Sequence, residues 1–347
     1  MMQYKQLMLF PFDKKVDNGE TNHTSQENVV DTNISERIAK EFATQNLPFL
    51  GCDFDIVYPQ IRDLLPKETI SFEIFGKDSA IMCEIICAAI CHQINWDYLR
   101  KRIFEKTKNT PEWLFFDNLA SISEEEIYQM LCTYDKKERI RASERANIIK
   151  KIGVWANNFT NISEVFLKNE TLLDYKNIHN NLLSCSAFSG DPQEKKLQLL
   201  LQKLSSFDKL NGLSIYYRPT IDYHLIRSYL RRGLIYGKTK FAREYVKNNS
   251  ATRTEKTVAA VRMHCSDMIE AISIYTNLDI NIVNLIEWHI GRSVCTQEKA
   301  DCKLEAKSSY WLKTKFEVCP FYNTCLARCF NQNFLNVKEP KYNGSSY

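Results

Sequence analysis

The chain has 347 residues, enough for one large helical domain of two lobes or for two small domains. Its 44% hydrophobic and 25% charged residues are ordinary for a globular protein, and no apolar run approaches the length of a membrane span. The net charge of +4 is too small by itself to indicate a nucleic-acid partner. Because the N-terminus lacks the pattern of a secretory signal, we expect a cytoplasmic protein with no membrane partner.

The first half of the chain is predicted to be an arm followed by helices. Residues 1–35 form a polar N-terminal arm or linker, since residues 14–35 have few aromatics and no apolar period. Residues 36–180 form a helical lobe, with helical periodicity in ISERIAKEFATQ and at 79–106 and 123–159. Ser123, followed by three glutamates, is a predicted helix N-cap.

The second half continues the helical pattern. Residues 181–330 form a second lobe, with apolar residues at three-to-four spacing in EKKLQLLLQKLSSF, DYHLIRSYLRRGL, EKTVAAVRMHCSDMIEAISIY and NIVNLIEWHIGRSV. Residues 331–347 are a tail. Strand-like alternation is nearly absent, so we predict an all-α fold of two lobes and about a dozen helices.

The twelve cysteines fall into different groups. Cys83, Cys87 and Cys91 recur every fourth residue on an apolar helix and are predicted to pack in the core. The C-terminal group has the spacing C-x6-C-x16-C-x5-C and consists of Cys295, Cys302, Cys319 and Cys325. Four thiolates on irregular backbone suit a four-iron cluster or a zinc ion, and the absence of two C-x2-C knuckles favours the cluster. Cys329 is a further cysteine in this region. It could replace Cys325 as a ligand, or it could be an ordinary buried thiol.

A carboxylate stands upstream in RPTIDYHLIR. Asp222 follows a proline-containing loop at the predicted start of a helix, where it could be an N-cap and nothing more. It lies 73 residues before Cys295, with helices between them.

These two features together resemble the helix-hairpin-helix DNA glycosylase superfamily. The cysteines resemble the C-x6-C-x2-C-x5-C end of endonuclease III and the MutY-type adenine glycosylases, which follows a Gly-Arg pair, here Gly291-Arg292. The segment around Asp222 is similar to the endonuclease III segment in which Pro-Thr precedes Asp-Thr-His-Ile-Phe-Arg. The resemblance implies a two-lobed glycosylase-like fold, a catalytic Asp222 and a [4Fe-4S] cluster on the four cysteines. This chain departs from the family in fourteen inserted residues between the second and third cysteines.

A bifunctional glycosylase also needs an amine nucleophile. The glycine-rich hairpin that carries it in endonuclease III is not recognisable here. The turn at residues 190–196 is loosely similar to the Asp-Pro-x-x-Lys turn of archaeal 8-oxoguanine glycosylases, so Lys195 or Lys196 is the candidate amine. Lysines at a helix start could equally be solvated.

Two further stretches are candidates for substrate binding. Residues 227–247 carry seven basic residues against a single acid. This segment is a candidate phosphate-facing patch, or else a solvated helix face. Arg227, Arg231 and Arg232 belong to it, and His224 precedes it. The aromatic and amide-rich stretch HQINWDY supplies Gln93, Asn95 and Trp96 as base-pocket candidates, although it could simply end a helix.

The sequence therefore predicts an N-glycosylase that acts on a base-sugar bond in nucleic acid, DNA before RNA, with a structural iron-sulfur cluster. One alternative is a glycosidase of this fold that acts on a modified nucleoside or RNA. The other is a non-catalytic iron-sulfur or zinc protein that binds nucleic acid or a partner protein.

Overall fold

A computed structural model describes residues 42–44, 53–190, 194–207, 210–238, 255–298 and 300–329. The predicted arm at 1–35 and tail at 331–347 lie outside these ranges. The described residues all belong to one unit of the chain. They form thirteen α-helices and four short strands, which confirms the prediction of a largely helical protein.

The helices, in chain order, are α1 (Phe54–Arg62), α2 (Lys77–Ile90), α3 (Trp96–Asn109), α4 (Phe116–Ser121), α5 (Glu124–Leu131), α6 (Ala142–Ala156), α7 (Tyr175–Leu183), α8 (Lys195–Leu204), α9 (Tyr223–Arg232), α10 (Glu255–Thr276), α11 (Ile280–Ser293), α12 (Tyr310–Lys313) and α13 (Leu326–Cys329). The strands are β1 (Phe42–Thr44), β2 (Leu167–Lys168), β3 (Thr171–Leu172) and β4 (Ile235–Gly237). Strand β1 pairs antiparallel with β4, and β2 pairs antiparallel with β3.

The first hydrophobic core gathers side chains from Phe72 to Leu213 and is built on α2 to α8. Helix α2 lies at its centre, with eleven of its fourteen residues buried. Such a helix shows little amphipathic contrast because it is surrounded by protein. Cys83 and Cys87 are fully buried in this core, as predicted, and Cys91 packs against it.

The second core combines α1 with α9, α10, α11 and the cysteine-bearing segment. Helix α9 is buried at every position from Leu225 to Arg232. The first core extends past the predicted lobe boundary at residue 180, whereas α1 packs with the C-terminal helices. Helix α1 therefore buries its apolar face against helices that lie far away in sequence.

Local signals had mixed outcomes. The Ser123 hydroxyl accepts a hydrogen bond from the Glu126 backbone in a complete capping box, so the predicted N-cap is confirmed. The periodic run at 79–106 is divided by a turn in which Gln93 has a φ of 57°. The helix predicted from ISERIAKEFATQ is wrong at residues 42–44, where pairing with β4 forms a strand instead. None of the described helices combines the length and apolar character needed to cross a bilayer.

Candidate active site and cysteine site

We call the helices around the first core (α2 to α8) the first lobe, and those around the second core, with the cysteine-bearing segment, the second lobe. A cleft of about 1320 Å³ is lined by residues from both. Three of the five tryptophans in the chain line it: Trp96, Trp288 and Trp311. The predicted site residues in its wall are Gln93, Asn95, Trp96, Lys195, Asp222 and His224. Residues from three separate parts of the sequence therefore meet on one surface.

Asp222 is the N-cap of α9, and its carboxylate has three hydrogen-bond donors. Oδ1 accepts from the backbone N–H groups of His224 at 2.8 Å and Leu225 at 3.2 Å, and Oδ2 accepts from the indole Nε1 of Trp288 at 3.1 Å. Burial by itself raises the pKa of Asp222, but the charges of His224 and Lys195 and the two backbone hydrogen bonds outweigh it and hold the pKa below its usual value. Asp222 is therefore both a helix cap and an ionised carboxylate in the cleft wall.

The tryptophan that contacts Asp222 was not among the predicted residues. Trp288 lies on α11, and the Arg292 guanidinium stands 4.8 Å from the centre of its ring. Arg292 also pairs with Asp97 of α3 at 2.9 Å and so joins the two lobes. In the sequence, the only signal for a functional role of Trp288 was its proximity to the Gly291-Arg292 pair. That signal was weak, because a tryptophan on an apolar helix is equally compatible with core packing.

His289 lies next to Trp288 on the same helix. Its ring is 4.9 Å from that of Trp288 and 5.7 Å from that of Trp311, both in edge-to-face geometry. Burial, and then the charge of Arg292, lower the pKa of His289 to about 4. This histidine is therefore neutral near pH 7.

Arg227 connects the start of α9 to the first cysteine, which corrects its prediction as a substrate-binding residue. The side chain is fully buried. It donates to the Nδ1 atom of His224 at 2.9 Å and to the carbonyl oxygens of Cys295 and Gly291 at 2.7 and 2.8 Å. Because arginine can only donate, Nδ1 of His224 is the acceptor in this contact.

Arg231 and Arg232 were predicted to face phosphates, and their burial corrects that prediction. They are 1% and 5% exposed. Arg231 donates to the Thr296 carbonyl at 2.7 Å, whereas Arg232 donates to Glu287 at 2.5 Å and lies 3.7 Å over the Phe321 ring. Both guanidinium groups are held inside the second lobe. Lys240, Arg243 and Lys247 of the predicted patch lie outside the described residues.

The two candidate amines differ in position. Lys195 lines the cleft, and its charge contributes to lowering the pKa of Asp222. Lys196 is only 7% exposed and is not part of the cleft wall. Its burial corrects the prediction that either lysine could serve, and Lys195 is the one that lines the cleft together with Asp222.

The wall formed by the first lobe contains the predicted base-pocket residues. Asn95 caps α3 by accepting a hydrogen bond from the Tyr98 backbone at 3.0 Å. The Trp96 indole donates to Glu68 at 3.3 Å, and its ring has Arg100 and Lys203 at 5.5 and 5.4 Å from the centroid. An aromatic surface with nearby cations is thus present on this side of the cleft.

Four cysteines surround one small cavity beside α9. Its wall includes Cys295, Cys302, Cys319, Cys325, Arg231 and Arg232. All four thiols are free. The Cys319 backbone donates to the Cys302 carbonyl at 2.9 Å. This hydrogen bond brings the two ends of the segment between Cys302 and Cys319 together. The four predicted ligands therefore line one cavity.

In the absence of a metal ion, the environment of these thiols favours their protonated form. Burial raises the pKa values of Cys302, Cys319 and Cys325, that of Cys325 to about 11, and the charges of neighbouring cysteines raise them further. Such thiols become thiolates when a metal cation displaces their protons. The Arg231 Nη1 atom is 3.7 Å from the Cys295 sulfur and can donate to a thiolate there. The Cys329 side chain lies outside the described residues.

Among the described residues, no group of three or more His, Cys, Asp or Glu side chains is placed to hold a metal ion.

The cleft wall contains seven lysine or arginine side chains and four carboxylates, so its charge is positive.

No protein-family model matches the chain, and neither does any curated protein.

Proposed function

We propose that this chain is an N-glycosylase that cleaves base-sugar bonds in DNA and carries a structural [4Fe-4S] cluster. The observation that carries the proposal is the ionised Asp222 carboxylate in a tryptophan-lined, positively charged cleft that Lys195 also lines. The resemblance at Asp222 and the cysteines supports the same assignment.

The proposed reaction breaks the bond between the sugar C1′ and the base nitrogen. The base leaves with the bonding electron pair, and positive charge develops on the sugar. The Asp222 carboxylate stabilises that charge because three hydrogen bonds hold it ionised and in a fixed orientation. Its lowered pKa makes it unsuitable as a proton donor near pH 7. The nucleophile at C1′ is water or the Lys195 amine, and the amine route gives a Schiff base.

The size and composition of the cleft support a nucleic-acid substrate. Small-molecule sites typically occupy about 300–1,000 Å³, and this cleft exceeds that range. Enzymes that act on a base extrude the nucleotide and stack it against aromatic side chains. Trp96 and Trp288 provide such surfaces, and the excess of cations suits the phosphate backbone.

The four cysteines suit a four-iron cluster better than a zinc ion. If a cluster is bound, these four cysteines would hold it through their thiolates. The four thiols line a common cavity, and their spacing lacks the two C-x2-C knuckles typical of zinc ribbons. When bound, the cluster supplies a structural anchor for the C-terminal segment.

The test is single-turnover base release by wild type and Asp222→Asn, measured on a panel of damaged and modified DNA, RNA and free nucleosides. We expect the variant to fold and its rate to fall by about 100-fold or more, because one preorganised charge is lost. Asp174→Asn is the matched control, since Asp174 caps α7 in the same way but does not line the cleft.

Equal rates for wild type and Asp222→Asn on a genuine substrate would remove Asp222 from the mechanism. Release from free nucleosides alone would replace the DNA substrate by the nucleoside alternative. No release from any member of the panel, with retained binding of nucleic acid, would favour the non-catalytic alternative.

A further inference from the structure

The sixteen residues between Cys302 and Cys319, KLEAKSSYWLKTKFEV, contribute to the cleft. Ser308 and Trp311 of this inserted segment are part of the cleft wall, although the cysteines at its two ends surround the separate cavity. The segment that interrupts the cysteine spacing therefore reaches the surface where Asp222 lies.

Hydrogen bonds fix the inserted segment to α11. The Trp311 indole donates to the Ser293 hydroxyl at 3.0 Å, and the Ser308 hydroxyl donates to the Ser293 carbonyl at 3.1 Å. Leu304 and Leu312 are fully buried in the second core. Trp311 is thus a fixed part of the wall, and its ring packs edge-to-face against His289.

The outer side of the same segment is basic and aromatic. Lys303, Lys307, Lys313 and Lys315 are exposed, whereas the exposed acids of the segment are Glu305 and Glu317. Tyr310 is 60% exposed, with the Lys313 ammonium 5.6 Å from its ring centre. Surfaces that bind single strands or extruded nucleotides typically combine two features. Lysines contact the phosphates of the nucleic-acid backbone, and nearby aromatic rings stack on the bases.

We propose that the inserted segment is a nucleic-acid-binding rim of the cleft. Trp311 contacts the nucleotide inside the cleft, and Lys307 and Lys313 bind phosphates of the strand that leaves it. The identity of the ligand as DNA rests on the function proposed above. The exposed lysines of this segment outnumber its acids, so it has the same sign of charge as the cleft wall.

The test is fluorescence anisotropy with a short fluorescein-labelled duplex that contains one abasic-site analogue, and with the corresponding single strand, at several KCl concentrations. Lys307→Gln/Lys313→Gln is expected to flatten the dependence of log K on log salt by about 0.7 to 0.9 per lost phosphate contact. Lys150→Gln/Lys151→Gln, on the exposed side of α6 and outside the cleft wall, is expected to leave it unchanged.

Trp311→Leu is expected to weaken binding about 5-fold or more without changing the salt dependence, since stacking is lost but no charge. The lysine changes are at exposed positions, so they decide the question even if Trp311→Leu fails to fold.

If wild type binds and the lysine and tryptophan variants bind equally well, the rim is overturned and the glycosylase proposal stands. If wild type binds neither probe but releases base from free nucleosides, the strand-binding role is overturned while the enzyme remains. If wild type neither binds the probes nor releases base from free nucleosides, both proposals are overturned.

Discussion

Replacing Trp288 by phenylalanine tests whether the indole N–H holds Asp222 in its ionised form. The indole donates to Oδ2 at 3.1 Å, whereas Oδ1 already accepts from two backbone N–H groups. Trp288→Phe keeps an aromatic ring in place and removes this one donor. We therefore expect the pKa of Asp222 to rise towards that of an ordinary carboxyl.

The energetic effect has a definite sign with pH. A hydrogen bond to a charged group contributes about 1.5 kcal/mol or more, and Asp222 is well buried. Because the pKa of Asp222 is lowered by folding, its ionised form stabilises the protein above the unfolded pKa of about 4, and this stability is lost as the pH falls through the folded pKa. The free-energy difference between wild type and Trp288→Phe should be largest near neutral pH and should narrow in acid.

The measurement is urea unfolding of both proteins at pH 7 and at about pH 3. Trp311→Phe is the matched control, because its indole donates at 3.0 Å to the uncharged hydroxyl of Ser293. Its difference from wild type should vary little with pH. A Trp288→Phe difference that is equally independent of pH would show that the indole does not stabilise the charge on Asp222.

Three further predictions concern the scaffold. Arg232→Met leaves the fully buried Glu287 without its ion-pair partner and should lower the free energy of unfolding by about 3–5 kcal/mol in urea titrations; a loss of less than about 1 kcal/mol would contradict the pairing. Gly153→Ala should lower the melting temperature because its Cβ would approach the α4 backbone to 2.3 Å, while Gly190→Ala, with open space around it, should not. Cys319→Ser should reduce the iron content and visible absorbance of anaerobically purified protein, and unchanged iron would remove this cysteine from the cluster.

Features that depend on neighbouring residues could be predicted from the sequence. The capping box at Ser123 needs only residues three apart, and the helices of both lobes follow from apolar spacing. The N-cap role of Asp222 could be predicted from its position after a proline-containing loop, whereas its catalytic role came from the family resemblance and stays a prediction. The spacing of the four cysteines indicated ligands, and the fold gathers them around one cavity.

The roles of the long polar side chains were decided by tertiary structure. The arginines of α9 have the same sequence pattern whether they face phosphates or the interior. Acceptors from the cysteine-bearing segment and from Glu287 hold Arg231 and Arg232 inside. Trp288 became a partner of Asp222 because α11 packs against α9, a contact between residues 66 positions apart. Apolar periodicity determines which residues form a helix, but the burial of a polar side chain depends on acceptors that distant segments bring to it.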